Sequence, residues 1–417
     1  MSADPVRPSV TAAAGAPADS GVPPEPGSPQ LRRGARRRRI VRLSWIAGAA
    51  VVVLATPAAA FGIAHGLSPD HGTTPANAPQ SPVKFQAGRR SSVRASAGTT
   101  PSDYEAYIAL AGGSSVAAVS VATDTIVADS ISADTAEGVA VTPDGSQLFV
   151  AQTGQYSVVA VDLATGAKTT IEVGAYPQDV AVSPDGSTVY ATVTGGDTGP
   201  GGSSQIAAIS TATDKVTGDI TVGAGPHQVA FSPDGSRAYV TTEQGITVVN
   251  TATQSVVARI AITSGAQGLA VSQNGSTVYA TSPATGKLTV VSAASDHIVA
   301  QVAAGAEPYS VAVTPDSKTV YVADTNSDSV DAISAASLKT VATITVGGLP
   351  GVVAVVPDGS QVWVGNIYTG NISVIDPANN TLAGTISGGT GTATLNAAPL
   401  GIAFVAAPST PSASASP

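Results

Sequence analysis

The stretch Val139–Phe149, VAVTPDGSQLF, decides the fold, because the chain repeats it five more times. It returns as VAVSPDGSTVY (Val180–Tyr190), VAFSPDGSRAY (Val229–Tyr239), LAVSQNGSTVY (Leu269–Tyr279), VAVTPDSKTVY (Val311–Tyr321) and VAVVPDGSQVW (Val353–Trp363). Successive starts are 41, 49, 40, 42 and 42 residues apart. A period of this length marks an array of supersecondary units, none of which can bury its apolar faces alone.

Inside a unit the pattern is that of strands. Val-Ala-Val alternation runs into Ser/Thr-Pro-Asp-Gly, where proline presets the first corner of a turn and glycine closes it. A second strand ends in an aromatic residue. A third begins at Val116, Val158, Ile206, Ile246, Leu288, Val330 and Ile372, and a short fourth, such as Thr170–Gly174 or Thr343–Gly347, follows it. Four β-branched strands per period point to a propeller blade. Helical repeats would need apolar residues at 3.6 spacing and fewer turn residues.

The third strand occurs seven times but the full sentence only six. The missing first strand lies at the C-terminus, where Pro399–Phe404 (PLGIAF) matches Pro177–Val182 (PQDVAV). The unpaired remainder, Tyr104–Asp134, supplies three strands with no leading one. The expected fold is therefore an all-β, seven-bladed propeller with four antiparallel strands per blade. One blade is closed by one C-terminal and three N-terminal strands, which removes the exposed edge an open ring would present.

This grammar, SPDG followed by VYV and then V-x-VID-x-AT, resembles the YVTN family of β-propeller repeats, from Tyr104 to about Ala407. The resemblance implies an extracytoplasmic protein of bacterial or archaeal type. It implies no common reaction, since the repeat consists of turn and packing residues.

The remaining chain divides by composition. Residues 1–42 are rich in Ala, Pro, Gly and Ser and end in an arginine cluster, Arg32, Arg33, Arg36–Arg39 and Arg42; they read as a disordered cytoplasmic segment. An uncharged run from Leu43 to Ala64 follows, and the helix over 43–66 is expected to be a signal anchor. Twenty-two residues at the helical rise reach roughly the 30 Å of a bilayer core. Arginines on its N-terminal side put the propeller outside. The alternative is secretion after signal cleavage near Ala60. Residues 67–103 read as a flexible linker, 104–407 as the propeller, and 408–417 as a disordered tail.

The chain has 417 residues and no cysteine, so disulfides and thiolate metal sites are excluded. Within 104–407 there are 23 Asp and Glu against 7 Lys and Arg, a difference of −16. Such a surface repels phosphate backbones, so nucleic acid is not expected as a partner. Neither a Gly-x-Ser-x-Gly elbow nor a His-Glu-x-x-His pair is present. Asp324–Asp328 begins like a calcium loop but has Ser329 and Ala335 where glycine and glutamate belong. His297 falls in a third-to-fourth-strand turn, opposite His227. The sequence thus nominates no catalytic residue, metal or cofactor, and reads as a monomer.

One feature breaks the repetition. Two residues open each innermost strand and ring the channel mouth: Glu137-Gly138, Gln178-Asp179, His227-Gln228, Gln267-Gly268, Tyr309-Ser310, Gly351-Val352 and Leu400-Gly401. Five successive blades begin with a polar or aromatic side chain. Glu137, Gln178, Asp179, His227, Gln228, Gln267, Tyr309 and Ser310 are therefore the candidate ligand-binding residues. Two lengthened loops, Val193–Ser204 and Ser387–Ala398, open on the same face. The expected function is an interaction scaffold at the cell surface, binding a protein or glycan. The alternative is an extracytoplasmic hydrolase or lyase resembling the seven-bladed lactonases.

Overall fold

In a computed structural model, the described residues are 104–195, 204–388, 395 and 397–407. They form seven four-stranded antiparallel sheets arranged as blades I–VII in ring order. Blade I pairs Ala398–Ala406 with Tyr104–Ala111, Ser115–Ser120 and Thr125–Ser132. Blade II spans 136–172, III 176–221, IV 229–261, V 269–303, VI 308–345 and VII 350–386. The seven-bladed, all-β expectation holds, with the composite blade closed as the sequence indicates: Tyr104 pairs with Ala406 and Ile108 with Ile402. The arginine cluster, the anchor helix, the linker and the 408–417 tail lie outside the described residues, as do 196–203 and most of 387–398. Among the described residues no helix is long and apolar enough to cross a membrane.

The repeated sentence builds the same corner each time. Asp185 Oδ1 accepts from Ser183 Oγ (2.5 Å), Ser187 N (3.0 Å) and Ser187 Oγ (2.9 Å), and Asp234 repeats this with Ser232 and Ser236. Gly186 closes its turn at φ +75°, where a side chain is strained. It also lies over the preceding blade's proline: a Cβ there would meet Pro143 Cδ at 3.4 Å. Gly235 sits so over Pro184, Gly275 over Pro233 and Gly359 over Pro315. The proline and the glycine are each replaced once. Blade V has Gln273 in place of proline, and blade VI has Ser317 in place of the glycine that would lie above it.

Between blades, seven apolar clusters form the core, one per interface. The second strands run on past the aromatic that was expected to end them, Phe149 lying within Gln147–Gln152 and Tyr190 within Thr188–Thr194. That aromatic fills the interface: Phe149, Tyr190, Tyr239, Tyr321 and Trp363 are fully buried. Trp363 of blade VII meets Phe404 of blade I edge-on at 5.4 Å, at the interface between these two blades.

Candidate functional site

The mouth is set by how each innermost strand is fastened to the next blade. Thr192, on the second strand of blade III, accepts from Asp179 N (3.0 Å) and donates to the His227 carbonyl of blade IV (2.9 Å). Thr241 accepts from Gln228 N (2.9 Å) and donates to the Gln267 carbonyl (2.8 Å). Thr281 accepts from Gly268 N (2.8 Å) and donates to the Tyr309 carbonyl (2.8 Å). Three mouth residues thus have backbones pinned from the neighbouring blade. The signal was present in the sequence as Tyr190-Ala-Thr192, Tyr239-Val-Thr241 and Tyr279-Ala-Thr281, but threonine is so common in strands that it did not stand out.

The two residues of each pair divide the work. In the second position, Asp179 Oδ2 accepts from Val229 N (3.1 Å), Gln228 Oε1 from Leu269 N (2.8 Å) and Ser310 Oγ from Val353 N (3.2 Å). Each bond spans to the next blade, so these three candidates hold the ring together. Where glycine takes the place, the next backbone comes too close for a side chain. A Cβ on Gly138 would lie 2.6 Å from Asp179 Cα, and one on Gly268 2.5 Å from the Tyr309 carbonyl.

The first-position side chains, Glu137, Gln178, His227, Gln267 and Tyr309, are half-buried. They engage one another. His227 Nδ1 and Gln178 Oε1 are 3.0 Å apart, a hydrogen bond between blades III and IV. Burial pushes the Glu137 carboxyl up to about 7, against a smaller opposing effect of the Thr153 hydroxyl. Burial likewise raises Asp179 to about 7, although the Val229 and Val180 amides favour its anion; the charge of Glu137 adds to the rise. Tyr309 is lifted to about 12 by burial and then by Glu137, while a hydrogen bond with Gln267 acts the other way. Burial lowers His227, opposed by Glu243. The sequence could nominate these residues but not their mutual electrostatics.

The two remaining positions are different in kind. At Gly351 the Ile367 side chain fills the space a Cβ would occupy, and blade I contributes half-buried Leu400. The mouth therefore has a polar arc over blades II–VI and an apolar arc over VII and I. Just outside the apolar arc stand Leu349 (37% exposed) and Tyr368 (75% exposed).

Elsewhere, the Asp324 carboxylate is occupied by its own turn, accepting from Ala306 N (2.7 Å), Glu307 N (2.8 Å) and Ser327 Oγ (2.6 Å). Among the described residues no three His, Asp or Glu side chains are grouped to hold a metal. On the opposite face a shallow groove of about 330 Å³ runs between the turns of blades II and III, lined by Asp144, Ser146, Gln147, Asp185 and Thr211.

The family model described as YNCE-like beta-propeller matches residues 121–317. Two solved structures share the architecture. Hydrazine synthase of Kuenenia stuttgartiensis is 23% identical, over 64% of this chain and 90% of that one, with a TM-score of 0.57. A protein of unknown function from Desulfotomaculum acetoxidans is 13% identical, over 72% of this chain and 98% of that one, with a TM-score of 0.60. At these identities the likeness concerns the fold alone. A search of the curated proteins finds no match.

Proposed function

We propose that this YVTN-type, YNCE-like β-propeller is a binding module whose mouth engages a protein or glycan partner outside the cell. One observation carries the reading: five contiguous blades present five non-equivalent side chains, Glu137, Gln178, His227, Gln267 and Tyr309, on a scaffold that is otherwise repetitive. A shaped ligand needs a surface without seven-fold sameness. The opposite face, with its near-identical Pro-Asp-Gly turns, offers little to tell one ligand orientation from another. Tyr104 and Ala406 pair at that turn end of blade I.

A partner identified by surface crosslinking should lose roughly 1–3 kcal/mol of binding in the double variant His227→Ala, Tyr309→Ala, with little change in melting temperature. A partner that crosslinks to the Pro-Asp-Gly turns and ignores the double variant overturns the reading. The anchor has its own check. Full-length protein should fractionate with membranes and release an intact propeller to external protease; soluble secreted protein beginning near Phe61 would instead establish cleavage.

A hydrolase or lyase is the second reading, favoured by two carboxyl groups raised to about 7 in the two blades that precede His227. Turnover of lactone or uronate-ester substrates that Glu137→Gln abolishes would move the assignment to that class.

A further inference from the structure

We infer that the mouth takes a lysine or arginine side chain of a partner protein, with the cationic head at Glu137 and the apolar stem against Leu400 and Ile367. This rests on the mouth being the binding face and names what it recognises there.

The first argument is charge. Glu137 and Asp179 stand side by side in blades II and III, and no basic side chain of the described propeller reaches them. Lys168, Lys215, Lys318 and Lys339 lie at the turn end of their blades. Arg237 is held by Asp296 at 2.8 Å. Arg259, on the outermost strand of blade IV, donates to the Val222 carbonyl and to Thr247 Oγ1. Lys287 is exposed at the outer rim. Buried carboxylates are paired or else neutralised by protons. Burial raises both groups to about 7, and no cation of the described propeller offsets it. A ligand bringing an ammonium or guanidinium replaces such a proton.

The second argument is shape. A free metal ion or small polyamine would need only the acidic side, and a neutral sugar would use the polar arc with no need for uncompensated charge. The mouth instead places an apolar wall, Leu400 and Ile367, next to Glu137 in ring order, with Leu349 and Tyr368 exposed beyond it. Lysine and arginine have a matching construction, an apolar stem ending in a charge. Tyr368 and Leu349 extend the apolar surface for the residues flanking that side chain.

The test is calorimetric titration of the full-length protein with the capped tripeptides Leu-Lys-Leu and Leu-Arg-Leu, with Leu-Gln-Leu as the uncharged control and a neutral chito-oligosaccharide as the rival ligand. The basic peptides should bind and the control should not. Glu137→Gln should weaken them at least about tenfold. Leu400→Ser should weaken them while preserving the preference for charge, and Asp219→Asn, on an outer strand, should change nothing. Affinity should fall from about pH 8 to about pH 5.5, as Glu137 and Asp179 take up protons and His227 gains charge in the same direction. Tyr309, lifted to about 12, stays neutral across this range; Glu243 and Glu307 are the other acidic groups that face the mouth residues. Basic peptides that bind Glu137→Gln equally well, or do not bind at all, overturn the inference. Binding of the oligosaccharide that His227→Ala, Tyr309→Ala abolishes would overturn it too, yet leave the mouth as the binding face. If the crosslinked partner maps to the turns, both fall.

Discussion

Glu137 and Asp179 give the mouth a pH dependence that can be read in stability. Both carboxyls are raised in the folded chain, to about 7, from ordinary values near 4. Between those values the native state holds more protons than the unfolded state, so stability falls as pH rises through this window. His227, lowered by burial, acts in the opposite sense around its usual range, one group against two. Below it, Asp144 takes over: hydrogen bonds from Thr142 and Ser146 hold it down at about 2, so its contribution is lost as pH drops from about 4 toward 2. Thermal unfolding should therefore peak near pH 4, and Glu137→Gln should flatten the decline between about pH 4 and 7. A melting temperature that rises steadily from about pH 4 to 7 would contradict the burial of these two groups. Gly138 tests the same spot by volume. Its Cβ would strike the Asp179 backbone, which has no far end to swing away, so Gly138→Ala should cost roughly 1–3 kcal/mol in chemical denaturation.

At the scale of the strand, the threonine latches explain why the blades keep register at the mouth although two innermost strands are only three residues long, Val229–Phe231 and Leu269–Val271. Thr241 satisfies Gln228 N and the Gln267 carbonyl at once. Thr241→Val keeps the shape but leaves both groups unpaired in the interior, and should cost roughly 1–3 kcal/mol, whereas Thr241→Ser should retain most of the stability. Equal losses in the two variants would mean that the methyl group, not the hydroxyl, holds the strand. These latches mark the boundary of what was legible beforehand. Turn chemistry is local, so Pro-Asp-Gly and the aromatic after it announced the strands and their order directly. The pairing of Asp179 with Val229, Gln228 with Leu269 and Ser310 with Val353 joins residues about 40 to 50 apart, a distance across which a side chain's identity says nothing of its partner. Hence the mouth could be drawn as a ring of candidates, but the split between residues that fasten blades and residues left half-buried at the mouth required the fold.

For the molecule as a whole, closure is the term on which the rest depends. The seven interfaces are equivalent in design, but six blades are each built from one continuous stretch of chain, whereas blade I is assembled from both ends. Its innermost strand, Ala398–Ala406, carries Phe404 onto Trp363 on one side and Val405 into the blade I–II cluster on the other. Val405 also lies over Gly145, whereas the turn glycines of blades III, IV, V and VII lie over a proline. A chain ending at Gly388 therefore loses more than one strand. It uncovers the Tyr104–Ala111 edge, empties part of two clusters and opens the ring at the blade that neighbours Glu137. Because each blade is a nearest neighbour to two others, the loss should spread as lowered cooperativity rather than stay local. We expect the truncated protein to aggregate, or to unfold over a broad transition at a lower temperature. Removal of 408–417 should leave the transition unchanged, since Ala406 is the last residue of the closing strand. A synthetic peptide covering 397–407, added in trans to the shortened chain, should restore a sharp transition by re-forming the Tyr104–Ala406 ladder. A chain ending at Gly388 that melts like the full protein and stays monomeric would show that the ring does not depend on its composite blade.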